Sequence, residues 1–260
     1  MAAVGSTDAP LAREQVAGTS PRLKARVAGV FYLVTIVAGL FAEVFVRGKL
    51  IVSGDALATA HNVVGAENLY RYGFAADLVG TAGYIVVTLL LYDLLKPVNR
   101  SLSLLAAFFS LVGCAIGGLA SLGQLGALFF LGGAHYLSAF NSVQLQAMAY
   151  LSIKFHAQGY LVGLVFFGFY CLLIGYLVFK STFIPRIIGV LMAIAGGGWL
   201  INSFASFVAP DLNFTLAAIT GIGELALTLW LLVMGVDAEK WREVARRSAS
   251  ALSATENAEA

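Results

Sequence analysis

Charged residues are scarce in this 260-residue chain, where Asp, Glu, Lys and Arg make up only 12% of the sequence. Soluble domains carry about 25% of these residues. Hydrophobic residues reach 60%, and the mean hydropathy is +0.87. Such a chain has too few polar groups to cover its surface in water, so its solvent must be the lipid bilayer. The net charge of +2 is small, which argues against a nucleic-acid partner.

Several motifs that would point to a known chemistry are also missing. The two cysteines, Cys114 and Cys171, lie in apolar runs without CxxC spacing, so a disulfide framework or zinc ribbon is not expected. Small apolar packing is the expected role of both. The sequence has no nucleotide-binding loop between a strand and a helix, and no G-x-S-x-G serine motif.

Long apolar runs fill the chain instead, and about 20 apolar residues are enough to cross a bilayer. The sequence predicts an all-α fold, a polytopic six-transmembrane-helix bundle at residues 25–236. A disordered cytoplasmic tail is predicted at residues 1–24, because this segment does not have the basic and then apolar stretches of a cleavable signal peptide. A basic amphipathic cytoplasmic tail is predicted at residues 237–260. The predicted spans are residues 26–46, 73–95, 102–131, 154–179, 187–208 and 215–235.

The positive residues give this bundle an orientation, because Lys and Arg accumulate in cytoplasmic segments. With the amino terminus inside, twelve of the sixteen Lys and Arg residues are cytoplasmic. We therefore predict a multi-pass protein of the cell inner (plasma) membrane with both termini in the cytoplasm. The four outer cations are Arg47, Lys49, Arg71 and Lys154.

Short helices are predicted outside the spans. Asp55 precedes residues 56–64, which predicts a capped surface helix, and Asn141 or Ser142 is placed to cap a helix leading into the fourth span. After the sixth span, Trp241 shares one helical face with Val244 and Ala245, beside several basic residues. Two interpretations of this tail stay open: a helix lying on an anionic leaflet, or a solvated extension.

Ionisable and amide side chains inside the spans are the strongest functional candidates, because each is costly to bury in lipid. Glu224, near the middle of the sixth span, must be protonated, hydrogen-bonded or paired. Glu43 also fits an ordinary i,i+4 pair with Arg47, and Asp93 is close enough to Lys96 to reach the cytoplasmic interface. The predicted ligand-binding residues of the outer half are Glu43, Asp77, Gln124, His156, Asn202 and Glu224.

All three histidines fall on the outer side, which makes His61, His135 and His156 weak candidates for a metal site. Imidazole and carboxylate ligands suit zinc, iron or copper. No closely spaced pair such as HExxH is present, so the sequence assigns neither a catalytic residue nor a cofactor.

Six segments, read in order, resemble the bacterial domain-of-unknown-function family 4386, from about residue 25 to residue 236. The resemblance implies a shared helix count and a shared outer-half polar cluster, but no mechanism. The segments are residues 25–56, FAADLV at 74–79, LLKPVNRSLSLLAAFF at 94–109, residues 155–191, NSFASF at 202–207 and GELALTLWLLVMGV at 223–236.

Three functions remain open at this stage. The favoured one is binding or transport of an ion or small molecule through an outer-half polar cavity. The second is an intramembrane metal-dependent enzyme acting on lipid, and the third is a non-enzymatic membrane assembly or sensor protein, whose polar groups fix helix register. The sequence does not predict the oligomeric state.

Overall fold

A computed structural model describes residues 20–209 and 217–259, and every regular element in these ranges is a helix. The prediction of an all-α polytopic bundle is confirmed. Two residues of the predicted sixth span, 215 and 216, and residues 1–19 of the predicted amino-terminal tail lie outside the described residues. The helices are α1 (Pro21–Leu50, with a π-helical segment at Phe41–Arg47), α2 (Ala56–Gly65), α3 (Glu67–Leu95), α4 (Arg100–Leu131), α5 (Ser142–Lys180), α6 (Arg186–Val208), α7 (Ala217–Val233) and α8 (Ala238–Glu259).

Six of these helices close into a ring. Going round it, α1 packs on α3, α3 on α4, α4 on α5, α5 on α6, α6 on α7, and α7 returns to α1. Five of the six, α1 and α3 to α6, are each long and apolar enough to cross a membrane, and α7 with the bent α8 brings the number to six. The chain is therefore a polytopic membrane protein whose helices pack into a closed ring.

The helices extend beyond the predicted spans on the side away from the termini. The fourth-span helix α5 begins at Ser142 rather than near residue 154, because Asn141 and Gln144 form a capping box that starts it early. Its 39 residues are about 58 Å long, against about 30 Å of hydrocarbon. Apolar run length detects only the part of a helix that crosses lipid. The predicted cap at Asp55 is confirmed, since its side chain accepts a hydrogen bond from the N–H of Ala58.

Two apolar cores fill the ring at different depths. The larger one occupies the half nearest the termini and includes Leu91, Leu227 and Leu231, all fully buried. The second lies at the opposite end, where Val63 of α2 and Tyr70 of α3 are fully buried. Tyr32 and Tyr84, whose hydroxyls take part in a polar group described below, are members of the larger core.

The end of the bundle that carries the termini is held together by polar contacts. Lys24 Nζ lies 2.8 Å from Asp93 Oδ2, and Lys96 Nζ lies 2.7 Å from Asp93 Oδ1. The predicted proximity of Asp93 to Lys96 is confirmed. Beyond α7 the chain turns by 102° into α8, and the Trp241 indole N–H donates to the carbonyl oxygen of Leu94 at 2.9 Å.

Candidate functional site

Arg47 joins three of the predicted site residues at the end of the ring away from the termini. Its Nε donates to Glu43 Oε2 at 2.7 Å, and its Nη1 and Nη2 donate to the two oxygens of Asp77 at 2.5 and 3.3 Å. Nη1 also donates to Gln124 Oε1 at 3.2 Å. We call these four residues the Arg47 group; it connects α1, α3 and α4.

A π-helical segment carries two members of this group. Between Phe41 and Arg47 the turn of α1 widens, and the N–H of Gly48 bonds back to the carbonyl oxygen of Glu43, five residues earlier. Such segments are frequent at functional sites. The Arg47 side chain is 13% exposed and that of Asp77 is 16% exposed, whereas Glu43 is 68% exposed. With two carboxylates and one guanidinium, the group carries a net charge of −1 when all three are ionised.

Gln124 is the most deeply buried member of the Arg47 group, at 1% exposure. The Tyr70 hydroxyl donates to its backbone oxygen at 3.0 Å, and its side-chain oxygen accepts from Arg47. Its Nε2 is buried and has no hydrogen-bond partner in the structure. A buried donor without a partner costs about 1–3 kcal/mol, so this amide is available to an acceptor that enters the site.

His156 lies close to the Arg47 group but is bonded elsewhere. Its Nδ1 is 3.1 Å from the backbone oxygen of Ala120 on α4, and its ring is near enough to Arg47 and Asp77 to interact with their charges. The other two metal candidates, His61 and His135, lie exposed on the connections. Within residues 20–209 and 217–259, no three His, Cys, Asp or Glu side chains lie close enough to hold a metal ion.

Glu224 forms a second, separate group with aromatic side chains. Its Oε1 accepts a hydrogen bond from the Trp199 indole N–H at 2.8 Å, and its Oε2 accepts one from the Tyr32 hydroxyl at 3.4 Å. The Tyr84 hydroxyl donates in turn to the Tyr32 hydroxyl at 3.3 Å. We call Glu224, Trp199, Tyr32 and Tyr84 the Glu224 group; it connects α1, α3, α6 and α7 across the ring.

Aromatic rings and not cations surround this carboxyl. The Tyr84 ring packs edge-on against those of Tyr32 and Tyr170, at centroid distances of 5.3 and 5.8 Å. The Tyr170 hydroxyl is buried and has no hydrogen-bond partner in the structure. Among the described residues, the groups that act on Glu224 are the neutral donors Trp199 and Tyr32, and no Lys, Arg or His forms an ion pair with it.

Tyr160 lies between the two groups, on α5 one turn after His156. It interacts electrostatically with Glu224 and also with Glu43, Arg47 and Asp77. The Tyr160 side chain is 49% exposed.

Among the described residues, Asn202, the remaining predicted site residue, is hydrogen-bonded to neither group, and its buried side-chain Oδ1 has no partner. Its backbone oxygen accepts from the Ser206 hydroxyl at 2.8 Å. The six predicted residues thus divide: three are bonded through Arg47, His156 is close to them, Glu224 forms its own group and Asn202 belongs to neither. The lengths of the apolar runs predict Arg47 in an outer loop and do not single out Tyr32, Trp199 or Tyr160.

Comparison with known sequences places these residues in a family. A family model described as "Domain of unknown function (DUF4386)" matches residues 27–235, which include both polar groups and Tyr160. The chain belongs to this family. It is also similar to a protein of Archaeoglobus fulgidus named "Uncharacterized protein", with 30% identity over 151 residues, 58% of this chain and 76% of the relative. No solved structure matches the chain.

Proposed function

We propose that this membrane protein binds a cation at the Glu224 carboxyl, either a proton or a small monovalent metal ion, and exchanges it past Tyr160 toward the Arg47 group. The observation that carries the proposal is the Glu224 carboxyl inside the ring, with two neutral donors and no cationic side chain paired to it. An ionised carboxyl in a membrane span is costly unless its charge is balanced. A bound proton or cation supplies that balance.

The aromatic neighbours suit such a site. Trp199 and Tyr32 fix the two carboxyl oxygens through hydrogen bonds, so the carboxyl is held ready for an incoming ion. The Tyr32 and Tyr84 hydroxyl oxygens are further neutral ligands beside it, since each oxygen carries lone pairs. A monovalent ion that enters the site gives up water oxygens as ligands, and one carboxylate with these neutral hydroxyl oxygens replaces them.

We infer that a cation reaches the site from the end of the ring that carries the Arg47 group. The Arg47 group, with a net charge of −1 and the exposed Glu43, attracts cations to the end away from the termini. Toward the other end, fully buried leucines fill the ring below Tyr84. This conformation supports binding from the Glu43 side, and transport would require a second conformation that opens the leucine-filled half.

Infrared difference spectroscopy of the purified protein in lipid nanodiscs tests the binding site. The carboxylic acid band of Glu224 is expected to change with pH, or on adding Na⁺, K⁺ or Li⁺ at fixed pH, and to be missing in Glu224→Gln. Glu67→Gln, which removes an exposed carboxyl paired with Arg71, is the matched control and should leave the band unchanged. A Glu224 band that responds to neither pH nor any of the three ions would overturn the proposal.

Proteoliposomes separate binding from transport. A pH-sensitive dye inside the vesicles reports proton movement, and a sodium- or potassium-sensitive dye reports the metal ions. Flux that is present in the wild type and abolished in Glu224→Gln extends the proposal to transport. Binding at Glu224 without flux limits the function to binding or sensing.

A membrane assembly role is a second candidate, because the Arg47 group satisfies most of its own hydrogen bonds while tying three helices together. Buried ionic groups of this kind can set helix register. If this were the only role, Glu224→Gln would keep the infrared and flux behaviour of the wild type, and variants of Arg47 would lower only the stability.

We further propose that the protein lies in the inner (plasma) membrane with both termini in the cytoplasm. The support is the charge difference between the two ends, since the end that carries the described termini also carries most of the Lys and Arg residues. Cysteines introduced at Ser53 and Ser250 test it in intact cells with a membrane-impermeant maleimide. Ser53→Cys should react and Ser250→Cys should not; the reverse result would invert the topology.

A further inference from the structure

We propose that α8 lies in the headgroup layer of the leaflet nearest the termini and binds anionic phospholipid headgroups with the basic residues on its two flanks. This inference is independent of the proposed cation site, because α8 lies at the other end of the bundle. It concerns residues 237–251, whose side chains the structure describes.

The direction of α8 is set by a rigid corner. Gly235 adopts a φ of +69°, which a residue with a side chain rarely takes, and α8 then leaves at 102° to α7. The corner is pinned by the Asp237 N–H, which donates to the Phe183 carbonyl oxygen at 3.2 Å, and by the Trp241 bond to Leu94. Because α7 packs between α6 and α1 in the ring of membrane-spanning helices, a helix nearly perpendicular to it runs along the membrane plane.

The faces of α8 follow from a rotation of about 100° per residue. Trp241, Val244, Ala245 and Ser248 are all partly buried and fall on one face. Trp241 and Val244 contact the larger core, so this face is turned toward the bundle and the membrane.

The charged residues of α8 lie on its other faces, with the basic and the acidic ones at different angles from Trp241. Arg242 lies about 100° to one side of Trp241, with Arg246 at about 140° on the same side, and Lys240 and Arg247 lie about 100–120° to the other side. The two acidic residues, Glu239 and Glu243, lie opposite Trp241, about 160° from it. A helix that rests in the interface has its basic side chains at headgroup level and its acidic ones farthest from the lipid, which is this arrangement.

The basic residues on the two flanks of α8 are accessible to a lipid phosphate. Arg242 has no carboxylate partner among the described residues, and its side chain is exposed. Arg247 pairs with Glu243 at 2.5 Å and Lys240 with Asp237 at 3.5 Å, but all four of these side chains are at least 40% exposed. Exposed pairs of this kind contribute little, so exchange for a lipid phosphate carries a small penalty. Two flanks of basic residues favour an anionic lipid over a zwitterionic one.

Electron spin resonance with spin-labelled lipids tests this preference on the full-length protein in vesicles. Wild-type protein should immobilise more spin-labelled phosphatidylglycerol than spin-labelled phosphatidylcholine, and high salt should reduce the difference. In Arg242→Gln/Arg247→Gln the excess should fall by about half, because other cations at that end remain. Glu239→Gln/Glu243→Gln, the control on the opposite face, should keep or raise it.

Equal immobilisation of the two lipids by the wild type would overturn the inference, and so would an excess that the arginine variant leaves unchanged. A second measurement covers variants that fail to fold. Nitroxide labels are placed at Ser248 and at Glu243 in a protein whose two native cysteines are replaced. The label at Ser248 should collide with oxygen, and the label at Glu243 should collide with an aqueous nickel chelate. Chelate access at both positions would show a solvated helix and contradict the inference.

Discussion

The indole Nε1 of Trp199 lies 2.8 Å from Oε1 of Glu224, so a hydrogen bond joins α6 to α7 inside the ring. The other carboxyl oxygen reaches Tyr32 on α1, at 3.4 Å. A single carboxyl group thus connects α7 to its neighbour α6 and to α1, which is distant in sequence. Its substitution has both a structural and a functional effect, and the two can be separated by the choice of the replacement residue.

We expect Glu224→Leu to destabilise the protein more than Glu224→Gln. Leucine leaves the Trp199 N–H and the Tyr32 hydroxyl without their acceptor, at a cost of about 1–3 kcal/mol for a buried polar group. Glutamine keeps one acceptor oxygen of similar size and should cost about 1 kcal/mol or less. Denaturant unfolding in mild detergent measures both. Equal losses in the two variants would mean that these hydrogen bonds contribute nothing to stability.

Arg47→Gln should destabilise the protein far more than Arg71→Gln. Arg47 is 13% exposed and bonds to two carboxylates and an amide, and removing one partner of a buried ion pair costs about 3–5 kcal/mol. Arg71 forms an i,i+4 pair with Glu67 in which both side chains are about half exposed, so its loss should cost less than about 1 kcal/mol. Thermal unfolding in detergent compares the two variants.

A double variant checks the cause of the Arg47 effect. Asp77→Asn added to Arg47→Gln removes the carboxylate left without its partner and should restore part of the lost stability. Strict additivity of the two single changes would show that the pair seen at 2.5 Å is not coupled energetically.

The depth of a residue could be predicted from the sequence, but its partners across the ring could not. Counting along the apolar runs placed Glu224 inside the membrane, because each helical residue advances by a fixed rise. Local rules likewise found the caps at Asp55 and Asn141. The i,i+4 spacing predicts the pair between Glu43 and Arg47, but no local pattern indicates the π-helical segment that also turns Arg47 toward Asp77 and Gln124.

The aromatic partners were missed for a different reason. Tyr32 and Trp199 have apolar bodies, so a count of apolar residues includes them in the spans without distinction. Their polar atoms matter only once α1, α6 and α7 are adjacent, and this adjacency follows from packing of the whole ring. A tyrosine or tryptophan in the middle of a span is the signal that marks such a partner, since a buried O–H or N–H needs an acceptor.

Gly175→Ala should destabilise the contact between α5 and α6, whereas Gly197→Ala should not. A methyl group on Gly175 would lie 2.7 Å from the carbonyl oxygen of Gly189 and from the N–H nitrogen of Ala193, which is backbone and cannot move aside. Overpacking of this kind costs about 1–3 kcal/mol. A methyl group on Gly197 meets no atom within 4 Å. The melting temperatures in detergent should therefore differ, and a normal value for Gly175→Ala would argue against this close helix approach.

Acid should loosen the first turn of α8 through Asp237, which lies outside the membrane-spanning helices. Hydrogen bonds from the backbone N–H of Lys240 and of Glu239 hold the pKa of this carboxyl below its usual value. Folding then favours the ionised form, so the cap contributes fully above the unfolded-state pKa and is lost as the pH falls through the lower folded-state pKa. We expect the loss below about pH 4.

Trp241 reports this change, since its indole is bonded to Leu94 only while α8 is docked. In a protein with the other two tryptophans replaced by phenylalanine, Trp241 fluorescence should shift to the red in acid. Asn is also a good helix cap but does not titrate, so Asp237→Asn should keep α8 docked across the same range. An acid shift of the same size in Asp237→Asn would assign the effect to another group, such as Glu239 or Glu243.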